Sequence, residues 1–218
     1  MNHKSVVWDA SECALVMMDY QPEIIATVFE QDRRLIELNI RSLADLAVRF
    51  EVPVVLSTVS VRAGVNSPTI QSLKDKLPDA EEIDRTTTNA WEDEAFLAAV
   101  KATGRKKLVM CGLVTSVCLA YPAVCALADG YEAVIVEDAV GDLTKQIHDT
   151  AVLRMVQAGA VPTSTSAMMI EWFRDWADPR APAMREVLVP WVTEWTPLKQ
   201  APELSYEPVF PGVNAPAV

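Results

Sequence analysis

One stretch of sequence decides the fold of this chain. It reads Lys106-Lys107-Leu108-Val109-Met110-Cys111-Gly112-Leu113-Val114-Thr115-Ser116-Val117-Cys118. Its first half is a short apolar run with the length of a buried strand, and Gly112 breaks that run before a helical pattern begins at Cys118. Unpaired N–H groups and the positive end of the helix dipole meet at a helix start, and both favour a thiolate over a thiol. The stretch therefore predicts a strand, a tight turn and a helix, with a candidate nucleophile where they meet.

Apolar runs of strand length alternate with segments of helical spacing along most of the chain. Residues 13–18 and 52–58 are two such runs, and residues 31–50 between them carry leucines and alanines at helical spacing. Glycines follow several helical segments, as Gly104 and Gly130 do, and glycine commonly ends helices. This alternation predicts an α/β fold with a doubly wound, mostly parallel sheet of about six strands.

The end of the chain has a different composition. Eight of the fourteen prolines lie in residues 178–218. Four aromatic residues accompany them, namely Trp191, Trp195, Tyr206 and Phe210. Proline disfavours regular structure, and exposed aromatic side chains need a surface to pack against. We therefore expect one α/β domain over residues 1–177 and an extended C-terminal arm over residues 178–218 that lies on a neighbouring subunit. Packing of the arm on its own domain is the alternative.

The charge and the apolar pattern exclude several classes of partner. Thirty acidic and nineteen basic residues give a formal net charge of −11. Nucleic-acid binding needs clustered lysine and arginine, and the sequence has no such cluster. The apolar runs are far shorter than the roughly 20 residues that span a bilayer, and the N-terminus has no signal-peptide pattern. We expect a cytoplasmic protein that binds neither nucleic acid nor membranes.

Cysteines and histidines are too scattered to predict a metal site. The cysteines at positions 13, 111, 118 and 125 form no C-x-x-C pair, and His3 and His148 are far apart. In a reducing compartment the cysteines should be free thiols. We expect no metal ion and no other cofactor.

Three residues with complementary chemistry follow predicted strands. Asp19 comes after the first strand, Arg85 ends a short strand, and Cys118 follows the strand of the opening stretch. Because parallel strands end at one edge of a sheet, these side chains could meet there. A carboxylate can take the thiol proton and a cation can stabilise the thiolate. On the residues alone, Asp19 could instead cap a turn and Cys118 could be buried packing.

Four segments resemble, in order, signatures of the isochorismatase-like cysteine hydrolases. They are Ala14-Leu15-Val16-Met17-Met18-Asp19-Tyr20-Gln21, Arg85-Thr86-Thr87-Thr88-Asn89-Ala90-Trp91, Gly112-Leu113-Val114-Thr115-Ser116-Val117-Cys118 and Gly130-Tyr131-Glu132-Ala133-Val134-Ile135-Val136-Glu137-Asp138-Ala139. The match spans residues 12–176. Asn89-Ala90-Trp91-Glu92-Asp93 resembles the YcaC-like branch, whose members are mostly hydrolases of unknown substrate.

The resemblance implies a role for each of the three residues that follow predicted strands. Asp19 would be the general base and Cys118 the nucleophile. Arg85 stands where most of the family has lysine, and because arginine stays protonated it would hold Asp19 and stabilise the thiolate without relaying a proton. The backbone N–H groups of Val114 and Cys118 would form the oxyanion hole, beside a cis peptide between Val114 and Thr115. The resemblance also implies a homo-oligomer, a tetramer or an octamer.

Four further residues in these segments are expected to bind the substrate. They are Gln21, Asn89, Trp91 and Thr115. Residues 57–61 lack the aspartate and histidines with which nicotinamidases of the family bind a metal, which disfavours that substrate.

The predicted function is a cofactor-independent amidohydrolase that acts on a small amide through an acyl-thioester on Cys118. Two alternatives stay open. An isochorismatase-type enol-ether hydrolase would not need a thiol nucleophile. A non-catalytic oligomer could use Cys118 for binding or redox sensing.

Overall fold

The computed structural model describes residues 7–200, and six strands within them form one sheet. The strands are β1 (Cys13–Met18), β2 (Val54–Val59), β3 (Glu82–Arg85), β4 (Lys107–Gly112), β5 (Glu132–Val136) and β6 (Val161–Thr163). Every neighbouring pair is parallel, and the order across the sheet is β3-β2-β1-β4-β5-β6. The predicted doubly wound α/β fold with about six strands is confirmed.

Helices connect the strands and cover the sheet. The α-helices of the described residues are α1 (Pro22–Ile25), α2 (Arg33–Arg49), α3 (Gln71–Lys74), α4 (Glu94–Ala102), α5 (Ala120–Ala128), α6 (Lys145–Ala158), α7 (Thr165–Phe173) and α8 (Ala181–Gln200). A π-helical turn, Thr115–Leu119, leads into α5, and 3-10 turns lie at Ala10–Glu12, Ala90–Glu92 and Glu137–Ala139. Between residues 7 and 200, no helix is long and apolar enough to cross a membrane.

The central strands create a crevice at one edge of the sheet. All six residues of β1 are buried, as expected for a parallel strand that is covered on both faces. The chain adds β2 and β3 on one side of β1, and β4, β5 and β6 on the other. The direction in which strands are added to the sheet thus reverses between β1 and β4. Such a reversal opens a crevice beyond the C-terminal ends of these two neighbouring strands. Asp19 and Cys118 follow those two strands, so the topology directs both towards the crevice.

Gly112 lets the two central strands lie close together at this edge. It pairs with Met18, the last residue of β1. A β-carbon on Gly112 would lie 3.1 Å from Met18 Cβ and 3.2 Å from the Met18 carbonyl oxygen. Both distances are shorter than the optimal separation of such atoms. The glycine in the opening stretch therefore permits close strand packing as well as ending the apolar run.

The C-terminal segment is helical where an extended arm was expected. Helix α8 (Ala181–Gln200) packs on α2 of the same domain, with Met184 and Val187 buried. The indole Nε1 of Trp191 donates to Asn39 Oδ1 of α2 at 2.8 Å. The extended conformation was therefore a wrong prediction over residues 181–200, where packing on the chain's own domain is observed.

The physical reason is an apolar stripe that outweighs the prolines. Met184, Val187 and Trp191 recur at the i, i+3, i+7 spacing of one helix face. Pro190 and Pro197 lie inside the helix, where each removes a backbone hydrogen bond, and the packing of the stripe on α2 offsets that loss. Tyr206 and Phe210 of the predicted arm lie outside the described residues, and the domain boundary near residue 177 stays a prediction.

Candidate active site

The structure brings Asp19, Arg85 and Cys118 together at the C-terminal edge of the sheet. Arg85 Nη2 donates to Asp19 Oδ2 at 2.5 Å, and the Cys118 thiol lies close enough for Asp19 to raise its pKa. All three residues are buried, with exposed fractions of 0 %, 1 % and 8 % for Asp19, Arg85 and Cys118. The ion pair and the thiol therefore share a desolvated space in which electrostatic interactions are strong.

Asp19 is turned towards this space by its backbone. Its φ of 61° is left-handed, a conformation that aspartate adopts more readily than most residues. Its N–H donates to the Ser57 carbonyl at 2.9 Å, and its own carbonyl accepts from the Gln21 N–H at 2.8 Å. Within the described residues the side-chain oxygen Oδ1 has no hydrogen-bond partner. One oxygen of the carboxylate is therefore free to accept a proton.

Arg85 supplies a permanent positive charge from the end of β3. Its guanidinium donates to Asp19 through Nη2 and to the Thr87 carbonyl through Nη1, and this second contact fixes its orientation. Arginine stays protonated at any ordinary pH. The positive charge of Arg85 therefore offsets the negative charge of the buried Asp19 carboxylate. An isolated buried charge would have no such partner.

Cys118 lies in the π-helical turn Thr115–Leu119, which is separated from β4 by Leu113 and Val114. Single π-helical turns occur frequently at functional sites. The backbone N–H of Val114 lowers the pKa of the Cys118 thiol. The strand, tight turn and helix start that the opening stretch predicts are all present at this cysteine.

The cis peptide lies one residue earlier than the resemblance implied. The bond between Leu113 and Val114 is cis, whereas the expected position was between Val114 and Thr115. The Thr115 N–H instead donates to the Gly141 carbonyl at 2.9 Å. The resemblance located the turn but placed the cis bond one residue too late.

Burial governs the protonation of the thiol and the carboxyl. It raises the pKa of the Cys118 thiol well above its usual range, and the charge of Asp19 raises that pKa further, against the opposing effects of Arg85 and the Val114 N–H. Burial also raises the pKa of Asp19, while Arg85 lowers it. Burial therefore opposes the thiolate that the helix start was expected to favour.

We expect the alkylation rate of Cys118 to keep rising with pH beyond about pH 9. Only the thiolate reacts, and below a raised pKa its fraction grows about tenfold per pH unit. Iodoacetamide labelling followed by peptide mass spectrometry gives the rate at each cysteine. The half-buried Cys125 is the reference in the same molecule. A rate at Cys118 that levels off below about pH 8 would contradict the raised pKa.

The side chain of Gln21, which was expected to contact substrate, hydrogen-bonds to the backbone. Its Nε2 donates to the carbonyls of Val59 at 3.1 Å and Ser67 at 2.7 Å, and its Oε1 accepts from the Val59 N–H at 2.9 Å. The side chain is fully buried. Gln21 therefore ties the loop after β2 to the end of β1, and its contact with substrate stays a prediction.

Asn89 and Trp91, with the same expected role, stabilise the loop after β3. Asn89 Oδ1 accepts from the Trp91 N–H at 3.1 Å and so caps a 3-10 turn. Trp91 Nε1 donates to Asp129 at 2.8 Å, and its ring packs edge-on against Tyr131. Both residues are buried. In this chain their polar groups bind the protein itself.

Thr115 is likewise buried and bonded within the protein. Its hydroxyl donates to the Gly141 carbonyl at 2.9 Å and lies 2.9 Å from His148 Nδ1. The polar groups of all four residues expected to bind substrate thus hydrogen-bond within the protein, and their contact with substrate stays a prediction. Sequence reasoning chose them by their position after strands, and position alone does not reveal hydrogen-bond partners.

Sequence reasoning also missed Asp142, which anchors the turn of the nucleophile. This buried carboxylate accepts from the Ser116 N–H at 2.7 Å and from the Leu143 N–H at 2.9 Å. Ser116 belongs to the same π-helical turn as Cys118. The available signal was an aspartate in the loop after β5, at the sheet edge that also holds Asp19 and Cys118.

Metal-ligating residues do not converge in the part of the chain that the structure describes. Between residues 7 and 200, no group of three His, Cys, Asp or Glu side chains is arranged to hold a metal ion. The four cysteines are free thiols.

The fold and this site define a class of protein that a family model matches. A model of the isochorismatase domain matches residues 13–167. That interval contains all six described strands as well as Asp19, Arg85 and Cys118. The chain belongs to the isochorismatase family of hydrolases.

Within that family the chain is similar to YcaC proteins. It is 36% identical to the probable hydrolase YcaC of Escherichia coli K12 over 169 residues, which are 77% of this chain and 81% of that protein. The crystal structure of E. coli YcaC, described as an octameric hydrolase of unknown specificity, has a TM-score of 0.82 at 33% identity, covering 89% of this chain and 95% of that one. YcaC from Pseudomonas aeruginosa, with hexane-2,5-diol and covalent acrylamide, has a TM-score of 0.83 at 32% identity, covering 90% and 97%. The predicted resemblance to the family and to its YcaC-like branch is confirmed.

Proposed function

We propose that this protein is a cofactor-independent amidohydrolase that cleaves the C–N bond of a small amide through a thioester on Cys118. The observation that carries the proposal is the burial of the Cys118 thiol beside the ion pair of Asp19 and Arg85. It combines a nucleophile, a base with an uncommitted oxygen and a permanent cation in one desolvated space. Membership of a hydrolase family supports the same reaction class.

The first half of the reaction forms the thioester. Asp19 takes the proton from Cys118 Sγ as the sulfur attacks the carbonyl carbon, and the carbonyl oxygen becomes an oxyanion. The N–H groups of Val114 and Cys118 stabilise that oxyanion. Protonated Asp19 then gives its proton to the nitrogen, the C–N bond breaks, and ammonia or an amine leaves.

The second half restores the enzyme. Asp19 takes a proton from a water molecule, which attacks the thioester carbon. The C–S bond breaks, a carboxylic acid leaves, and Cys118 regains its proton from Asp19. The net reaction consumes one amide and one water and gives one acid and one amine. Arg85 keeps its proton throughout and stabilises the negative charge on Asp19 and on the sulfur.

The raised pKa values of Asp19 and Cys118 support this division of roles. A raised pKa makes Asp19 a better proton acceptor than an ordinary carboxylate, and a raised pKa keeps the proton on Cys118 in the absence of substrate. The thiolate then forms only when a substrate carbonyl is present to accept its charge.

A related structure supports a reactive cysteine of this kind. YcaC from P. aeruginosa contains covalent acrylamide, which is a small primary amide and an electrophile that thiolates attack. For the present chain we propose that Cys118 is the residue that such an electrophile modifies.

A screen of small amides and ureides tests the reaction class. The purified protein should release ammonia or an amine from at least one of them, and prior alkylation of Cys118 should stop that release. Turnover of an enol ether that survives alkylation would favour the enol-ether alternative. Absence of turnover on every compound, with inert cysteines, would favour the non-catalytic alternative.

We further propose that the protein is a homo-oligomer, a tetramer or an octamer. The octameric state of E. coli YcaC supports this. Exposed apolar side chains on the described surface also support it, since Phe29, Trp176 and Val189 are 62 %, 52 % and 59 % exposed. Light scattering should give a mass four or eight times the 24.0 kDa of one chain. A mass near that of a single chain would contradict the proposal.

A further inference from the structure

The π-helical turn that carries Cys118 is held from one side by the segment between β5 and α6. Two consecutive residues of the turn bind this segment through their backbone. The Thr115 N–H donates to the Gly141 carbonyl at 2.9 Å, and the Ser116 N–H donates to Asp142 Oδ2 at 2.7 Å. These bonds fix the backbone of the turn on the N-terminal side of Cys118.

The loop around Asp142 is itself anchored to the rest of the domain. The Asp142 N–H donates to Gln31 Oε1 at 3.1 Å, and the Asp142 carbonyl accepts from the Phe29 N–H at 3.4 Å. Asp142 is fully buried. The loop is therefore a fixed support for the turn.

His148 reaches the same turn from the first half of α6. Its ring Nδ1 lies 2.9 Å from Thr115 Oγ1, and within residues 7–200 this is the one hydrogen bond of the ring. The Glu137 carboxylate is 3.9 Å from Nε2, which exceeds hydrogen-bond distance. The bond to Thr115 forms with either tautomer, because a ring N–H donates to the hydroxyl oxygen and an unprotonated ring nitrogen accepts the hydroxyl proton.

Packing alone does not account for an imidazole at this position. His148 lies on the buried face of α6 with Ala151 and Met155, and the other two residues are apolar. Only 5 % of His148 is exposed. A buried polar ring costs free energy unless it is hydrogen-bonded, and the ring bonds to the turn of the nucleophile.

We propose that His148 is a positioning residue for the nucleophile and acts on Cys118 through the Thr115 hydroxyl. Thr115 lies next to Val114 and three residues before Cys118, so its orientation sets the directions of the two N–H groups proposed for the oxyanion hole. A displacement of about 1 Å in such a site costs on the order of a hundredfold in rate. The effect on turnover rests on the proposed hydrolysis, whereas the effect on the exposure of Cys118 does not.

Kinetics of full-length variants on the best amide of the screen test this link. Thr115→Val and His148→Leu each remove one side of the bond and should each lower kcat at least about tenfold, with KM within about threefold of the wild type. The double variant should be no more than about twofold slower than the slower single variant, because residues that act through one bond are not additive.

His148→Asn is the conservative variant that should rescue turnover. An asparagine amide near the position of Nδ1 can either donate to the Thr115 hydroxyl or accept from it, so the rescue does not depend on the tautomer. We expect its kcat to exceed that of His148→Leu at least about fivefold. A thermal melt of each variant checks that the fold persists.

Iodoacetamide labelling gives a readout that needs no substrate. Loosening the turn exposes the Cys118 thiol, and loss of burial also lowers its pKa. The labelling rate of Cys118 should therefore rise at least about threefold in Thr115→Val and His148→Leu, and less in His148→Asn. The rate at Cys125, in α5 of the same molecule, should stay unchanged, whereas general unfolding would raise both rates.

Thr150→Val is the matched control. It removes an exposed hydroxyl of α6 that donates to the Gln146 carbonyl of the same helix, and it should match the wild type in turnover and in labelling. The proposal is wrong if His148→Asn behaves as His148→Leu does, if the single effects add in the double variant, or if Cys118 and Cys125 change together or not at all. Failure of the proposed hydrolysis is distinct: the wild type would then turn over no amide, and the labelling rates of the same variants would decide the role of His148.

Discussion

Replacing Cys118 by alanine is expected to abolish amide hydrolysis while the protein stays folded. The substitution removes the sulfur that forms the thioester, and losing a covalent nucleophile lowers turnover on the order of a thousandfold or more. Only one side-chain atom is lost, so the fold should be little affected. Ammonia release from the best amide of the screen gives the rate, and circular dichroism with a thermal melt checks the fold.

Cys125→Ala is the matched control for that experiment. Cys125 lies in α5, close in sequence to the nucleophile, and is a half-buried free thiol that contacts the Asn89 amide at 3.6 Å. Its replacement should leave turnover within about twofold of the wild type, because the proposed mechanism does not use it. If Cys118→Ala kept more than about a tenth of the wild-type rate, the covalent mechanism would be wrong.

Replacing Arg85 by leucine is expected to cause the largest loss of stability. The variant leaves the buried Asp19 carboxylate without its cation, and breaking a buried pair in this way costs about 3–5 kcal/mol in the free energy of unfolding. In a chain of this size that loss lowers the Tm by roughly 10 °C. Urea unfolding and scanning calorimetry at neutral pH measure both quantities.

Arg62→Leu is the control on the same side of the sheet. The Arg62 side chain is 82% exposed and pairs with Asp84 at 3.2 Å, so its loss should change the free energy of unfolding by about 1 kcal/mol or less. The double variant Asp19→Leu with Arg85→Leu should recover most of the stability lost in Arg85→Leu, because no unpaired charge then remains. Equal effects of Arg85→Leu and Arg62→Leu would show that the buried pair is unimportant for stability.

The strands could be predicted because their signal is local. Residues 13–18 form an unbroken apolar run, which is typical of a parallel strand buried on both faces. Glycines marked several helix ends, and Gly159 ends α6 with a left-handed φ of 110°. Short-range patterns of this kind carry information about elements that lie next to each other in the chain.

The C-terminal helix shows where local signals compete. Proline content argued against a helix, while Met184, Val187 and Trp191 formed an apolar stripe that α2 could cover. Which signal prevails depends on whether a partner surface exists. That surface belongs to residues far away in sequence, so the composition of the segment alone was a poor guide.

The sequence by itself determined which chemical groups follow the strands, a carboxylate after β1, a guanidinium at the end of β3 and a thiol after β4. The strand order then placed the groups at one edge, because parallel strands end on the same side. Only the tertiary structure decided how their pKa values shift, since desolvation depends on how completely distant segments cover Asp19 and Cys118. It also decided that Gln21, Asn89, Trp91 and Thr115 stabilise the fold, because a buried polar group must find its hydrogen-bond partners among whatever residues packing brings beside it.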